Sequence, residues 1–165
     1  MKATVCEPPR SRTSTRCDAA AGGRDACSSP KSREALKWWC VACADEWFAR
    51  GEQGAARDFL KHAADLDPTD DRIWIALGSV HYLLGEWAEA GMAFLRAVRL
   101  RPGNARAWLH LALAHERMDQ PGLALLLVRQ AQELDPTDEA VRVALERLEA
   151  RVGGIPARSQ PEPCV

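Results

Sequence analysis

Apolar side chains recur at spacings of three and four from about residue 37 to residue 152 and thin out on either side. That spacing puts them on one face of a helix, so the pattern predicts consecutive amphipathic helices. Residues 1–34 carry Pro8, Pro9, Pro30, Gly22 and Gly23 among many Ser, Thr and Arg, with few large apolar groups. Such a stretch cannot bury enough surface to offset the entropy of ordering, and it is expected to be a disordered arm. Residues 153–165, with Gly153, Gly154, Pro156, Pro161 and Pro163, are expected to be a flexible tail.

Between these ends the pattern has a fixed period. Residues 37–70, 71–104 and 105–138 superimpose as three segments of 34 residues without a gap, and such a period means a stacked solenoid. Counting places within a segment, place 4 holds Cys40, Trp74 and Trp108; place 7 Cys43, Leu77 and Leu111; place 8 Ala44, Gly78 and Ala112; place 11 Trp47, His81 and His115. Places 20 and 27 are alanine each time (Ala56, Ala90, Ala124; Ala63, Ala97, Ala131), place 24 is Leu60, Phe94 and Val128, and place 32 is Pro68, Pro102 and Pro136. Places 4, 7, 8 and 11 form a stripe on a first helix, A, and places 20, 24 and 27 the matching stripe on a second, B. The small residues let the two backbones approach closely while the tryptophans fill the space beside them.

The boundaries are written in the same register. A proline at place 32 ends helix B, because the residue before it is driven out of the α region and proline donates no hydrogen bond. Asp70, Asn104 and Asp138 come next, each placed to cap the next helix. Gly51 and Gly85 supply the A-to-B turn of the first two segments, and Asp119, Gln120 and Pro121 that of the third. After Asp138 one more helix keeps Val141, Ala144, Leu145 and Leu148 on one face. Arg142, Glu146 and Glu149 take places 4, 8 and 11, so the array is expected to end on a helix with a charged outer side.

The Trp, Leu, Gly, Ala, Phe, Ala and Pro of the second segment resemble the tetratricopeptide repeat almost throughout. The first segment departs furthest, with Cys40 and Cys43 where the family has an aromatic residue and a leucine. The resemblance implies an all-α, right-handed solenoid of antiparallel helix pairs, with repeats over 35–70, 71–104 and 105–138 and a capping helix over 139–152. It also implies that places 2, 5, 9 and 12 of helix A line a concave groove. Here those places read Trp38, Val41, Asp45 and Phe48, then Arg72, Ile75, Ser79 and Tyr82, then Arg106, Leu109, Leu113 and Glu116.

A helix that needs one buried face has apolar residues on two, and contiguous exposed apolar surface commonly marks a binding site. The expectation is a peptide-binding groove edged by Arg72 and Arg106 that takes an apolar or amphipathic segment of another protein, with Ile75 and Leu109 facing solvent in the free chain. A self-associating module, joined as a homodimer, is the second reading. Family members that clamp acidic chaperone tails carry lysine at place 5 and asparagine at place 9 of the first repeat, where this chain has Val41 and Asp45. Sugar-transferring members carry asparagine at place 6, where this chain has Ala42, Ala76 and His110. What is left is similar to the small three-repeat chaperones of bacterial secretion systems.

Composition narrows the classes further. A formal net charge of -1 gives no positive field for nucleic acid or an anionic membrane. No run approaches the roughly 20 apolar residues of a membrane span, and no apolar core of a secretory signal opens the chain, so a cytoplasmic location is expected. The Arg and Ser of the arm are those of an organellar transit peptide, but Glu7, Asp18, Asp25 and the Pro8–Pro9 pair break the helix that import needs.

Candidate chemistry is sparse. Cys40 and Cys43 make a C-x-x-C and, with Cys6, Cys17, Cys27 and Cys164, bring the cysteines to six. Zinc or redox work is the functional alternative for the pair. Both members fall on packing places, where cysteine acts as a small hydrophobe. His81 and His115 take a packing place too, so each is expected to be a packed imidazole with one hydrogen-bond partner. Neither a triad nor a phosphate loop is present, and the sequence predicts no enzyme and no cofactor.

Overall fold

The computed structural model describes residues 32–153; the arm and the tail lie outside them save for their last or first few residues. Among the described residues there are seven helices and no strand: α1 (Arg33–Ala49), α2 (Gln53–Leu66), α3 (Asp71–Leu83), α4 (Trp87–Leu100), α5 (Ala105–Arg117), α6 (Pro121–Leu134) and α7 (Glu139–Gly153). They pair as α1·α2, α3·α4 and α5·α6, each pair stacks on the next, and α7 packs on α6. Helix α1 begins two residues ahead of the expected repeat, because the Ser32 hydroxyl accepts a bond from the Ala35 amide at 3.1 Å and caps it.

Three turns repeat one design. Gly51, Gly85 and Asp119 all adopt positive φ, at 81°, 79° and 59°, and the next residue's amide donates back to the carbonyl of Trp47, His81 or His115 at 3.0 Å. This left-handed closure satisfies the last carbonyls of helix A. The helix starts hold less uniformly to expectation. Asp70 and Asp138 accept from the amides of Arg72 and Ala140, but Asn104 caps nothing with its side chain. Its amide instead donates to Asp71 at 3.3 Å, tying the end of the second repeat to the start of its own helix A.

The core adheres to the alanine register. All six alanines at places 20 and 27 are wholly buried, and Leu60, Phe94 and Val128 nearly so. Places 8 and 24 exchange volume: a Cβ built on Gly78 would lie 2.6 Å from the Phe94 ring, whereas the first and third repeats set alanine against the smaller Leu60 and Val128. Trp74 and Trp108 are half-buried, and their indole N–H groups donate to the carbonyls of Pro68 and Pro102 at 2.9 and 2.8 Å. Each anchors helix A to the turn before it; Cys40, wholly buried at that place, makes no such tie.

Candidate functional site

The second stripe of helix A does not meet one fate along its length. Trp38, Asp45, Phe48, Arg72 and Arg106 are exposed, and Val41, Ile75, Ser79, Tyr82, Leu113 and Glu116 are half-buried. Leu109 is buried at 7% exposure, in a cluster with Ala112, Val128, Val141, Ala144 and Leu148. The expectation that Leu109 faces solvent is therefore corrected: α7 supplies the apolar surface that removes it from water. Ile75 is partly covered as well, packed against the cluster that contains Ala107 and Leu111.

Side chains along the stripe are held by specific contacts. The Arg72 guanidinium lies 5.5 Å from the Trp38 ring centre and bonds to Asp70 at 3.3 Å, while the Lys37 ammonium lies 4.8 Å from the same ring. Such cation–π contacts fix an indole without hiding it. Ser79 donates its hydroxyl to the Ile75 carbonyl within its own helix at 2.9 Å. Tyr82 meets Trp87 edge to face at 4.9 Å, and the Arg117 guanidinium sits 4.6 Å from the Trp87 ring centre.

Toward the last repeat the stripe opens into a depression of about 650 Å³, lined by Tyr82, Trp87, Leu113, Glu116, Arg117, Asp119, Arg147 and Arg151. Three stripe residues, Tyr82, Leu113 and Glu116, are among these. Trp87, Arg117, Asp119, Arg147 and Arg151 were not expected from the sequence. Continuing the count of places into α7 would have found Arg147, which stands at place 9 of that helix, in line with Asp45, Ser79 and Leu113. Asp119 belongs to a turn, which no helical period reaches, and Trp87 is the first residue of α4, at the end of helix B that meets the A-to-B turn.

The groups with chemical potential elsewhere are packed. Cys40 and Cys43 are buried in two core clusters, and burial pushes the Cys40 thiol up to about 11, so it stays protonated at neutral pH. His81 bonds through Nδ1 to Glu86, and His115 through Nδ1 to Gln120 at 2.8 Å. Each has the single partner expected of it, and the His81 bond holds the Glu86 carboxyl below its ordinary value. His110 stacks on Phe94 at 5.3 Å; burial and the nearby Arg106 lower its pKa. No helix among the described residues is long and apolar enough to cross a membrane.

Comparison with known proteins agrees with the repeat. Two models of the tetratricopeptide repeat match, one over residues 71–114 and one over residues 105–138. The chain is a tetratricopeptide-repeat protein. It is 33% identical over 97 residues to the BBSome complex member BBS4 of Xenopus tropicalis, an alignment covering 59% of this chain and 19% of that one. It spans between 14% and 34% of the length of the curated relatives it matches. Among solved structures, the first tetratricopeptide domain of Spaghetti (RPAP3) bound to the HSP90 peptide SRMEEVD superimposes with a TM-score of 0.68 at 18% identity, over 71% of this chain and 93% of that one. The type III secretion chaperone SycD of Yersinia enterocolitica, in complex with a peptide of the translocator YopD, gives 0.67 at 19% identity, over 73% and 97%. These tetratricopeptide neighbours share the fold; the first repeat of this chain, with its two cysteines, lies outside both matched ranges.

Proposed function

We propose that this tetratricopeptide array is a non-catalytic scaffold that binds an apolar or amphipathic segment of another protein along the second stripe of α1, α3 and α5. One observation carries the reading: Trp38 and Phe48, on one face of α1, keep 44% and 43% of their surface exposed. Large aromatic groups left in water beside the half-buried Val41, Ile75 and Tyr82 make a patch that a partner can cover with gain. Similarity supports it in kind, since the RPAP3 domain and SycD are each solved with a peptide of another protein bound. Acidic-tail clamping of the chaperone type finds no support in Val41 and Asp45.

The test is a double substitution, Trp38→Ser with Phe48→Glu, on side chains that already face water. Affinity capture from source cells, wild type against variant, should lose its specific proteins at least a hundredfold, about 2.7 kcal/mol, while the helical circular dichroism stays the same. A variant that retains every captured protein would place recognition elsewhere. Light scattering separates the self-associating reading: a wild-type dimer that the same substitutions dissociate would make a second copy the partner.

A further inference from the structure

Charge counting in the depression leaves one group over. Arg147 bonds Glu116 at 2.7 Å, and Arg151 bonds Asp119 at 2.7 Å and approaches Glu116 at 3.8 Å. Both carboxylates of the lining are thereby engaged by α7. Arg117 is the third guanidinium of the lining, and among the described residues no carboxylate reaches it within ion-pair distance. Its contact is the Trp87 face, and Trp87 is itself held by Tyr82. The planar fork is thus set in advance with its N–H donors free for an acceptor, the arrangement that makes arginine suited to carboxylates.

We infer that this depression is a pocket for a carboxylate side chain of the partner segment, which Arg117 receives while Tyr82, Trp87 and Leu113 cover the aliphatic part. This rests on the proposed binding stripe, of which Tyr82 and Leu113 are members. A single carboxylate matches the one uncompensated positive charge. A phosphate would bring nearly two negative charges beside Glu116 and Asp119 and be repelled by them. Delivery by a segment is a matter of position, because the pocket opens at the end of the apolar stripe. The partner chemistry is therefore an apolar stripe with a glutamate or aspartate at its end.

Two synthetic helical peptides test this, alike in their leucine stripe, one flanked by glutamates and one by lysines, with the Trp87 indole N–H resonance of ¹⁵N-labelled protein as reporter. The glutamate peptide should shift that resonance and bind wild type about tenfold more tightly than Arg117→Gln, with Arg117→Lys between them. Its lysine twin should bind both proteins weakly and alike. Equal affinity of wild type and Arg117→Gln for the glutamate peptide, or a preference for the lysine twin, overturns the pocket. If that equality is accompanied by loss of binding in Trp38→Ser with Phe48→Glu, the stripe stands and only the pocket falls; if neither peptide binds, both readings fall.

Discussion

The two ends of the stripe treat their apolar residues differently. At the α1 end, Trp38 and Phe48 remain exposed and Val41 half-buried; at the α5 end, Leu109 is in the core and Glu116 is bonded to α7. Val41 and Leu109 share place 5, so their difference in burial lies in the helices packed against each end. Helix α7 presents Val141, Ala144 and Leu148, all buried, to the last repeat, and its arginines reach across to α5. An apolar residue on the second face of helix A is available for binding only where the succeeding helix leaves it uncovered.

The largest effect that would break this comparison is a charge at each end. Leu109→Glu puts a carboxylate into a cluster with no partner for it and should cost about 3–5 kcal/mol in urea unfolding. Phe48→Glu, on an exposed side chain, should cost under about 1 kcal/mol. Equal losses would mean that both ends are core; a harmless Leu109→Glu would mean that α7 does not close the array.

Much of the fold was legible because the repeat enforces it three times. The alanines at places 20 and 27, the proline stops and the positive-φ turns each appear in register, and the structure shows all of them in use. Asn104 was misread, since a residue of capping type at a helix start can bond a carboxylate distant in sequence instead, here Asp71 at the start of α3. Leu109 was misread because periodicity within one helix carries no information on what the next helix covers. The pocket was only partly visible: Tyr82, Leu113 and Glu116 lie on the stripe of helix A, but Trp87 opens α4, Asp119 sits in a turn and Arg151 comes from the helix that breaks the pattern.

A middle-sized effect concerns the repeat between the two ends. Alanine stands at place 8 in the first and third repeats, yet Gly78→Ala would drive a methyl into the Phe94 ring at 2.6 Å and should cost about 1–3 kcal/mol. The ring must then shift or the α3·α4 pair must open. Phe94→Leu recreates the pairing of Ala44 with Leu60, so the double variant should melt higher than Gly78→Ala alone. That coupling, read from a double-mutant cycle, is the measurement; additive losses would show that the two places do not exchange volume.

The smallest effect distinguishes the ends by acid. At the α1 end the buried Lys37 ammonium lies 2.8 Å from Asp67 and 3.5 Å from Asp70. The Lys37 bond, with two more donated by Thr69, lowers Asp67 to about 2, against an unperturbed value of about 3.9. A carboxyl whose folded pKa is depressed stabilises the fold fully above the unfolded value, and that contribution is lost as pH falls through the folded one. The first repeat should therefore loosen between about pH 4 and pH 2, as the α1·α2 contact loses the charge that Asp67 presents to Lys37. Asp67→Asn removes the titrating group, so its melting temperature should start slightly below wild type at neutral pH and fall less steeply across that window. Asp119→Asn at the other end removes an exposed ion pair and should shift the neutral melting temperature little. An Asp67→Asn profile parallel to wild type down to about pH 2 would show that the acid sensitivity of this end comes from other carboxylates.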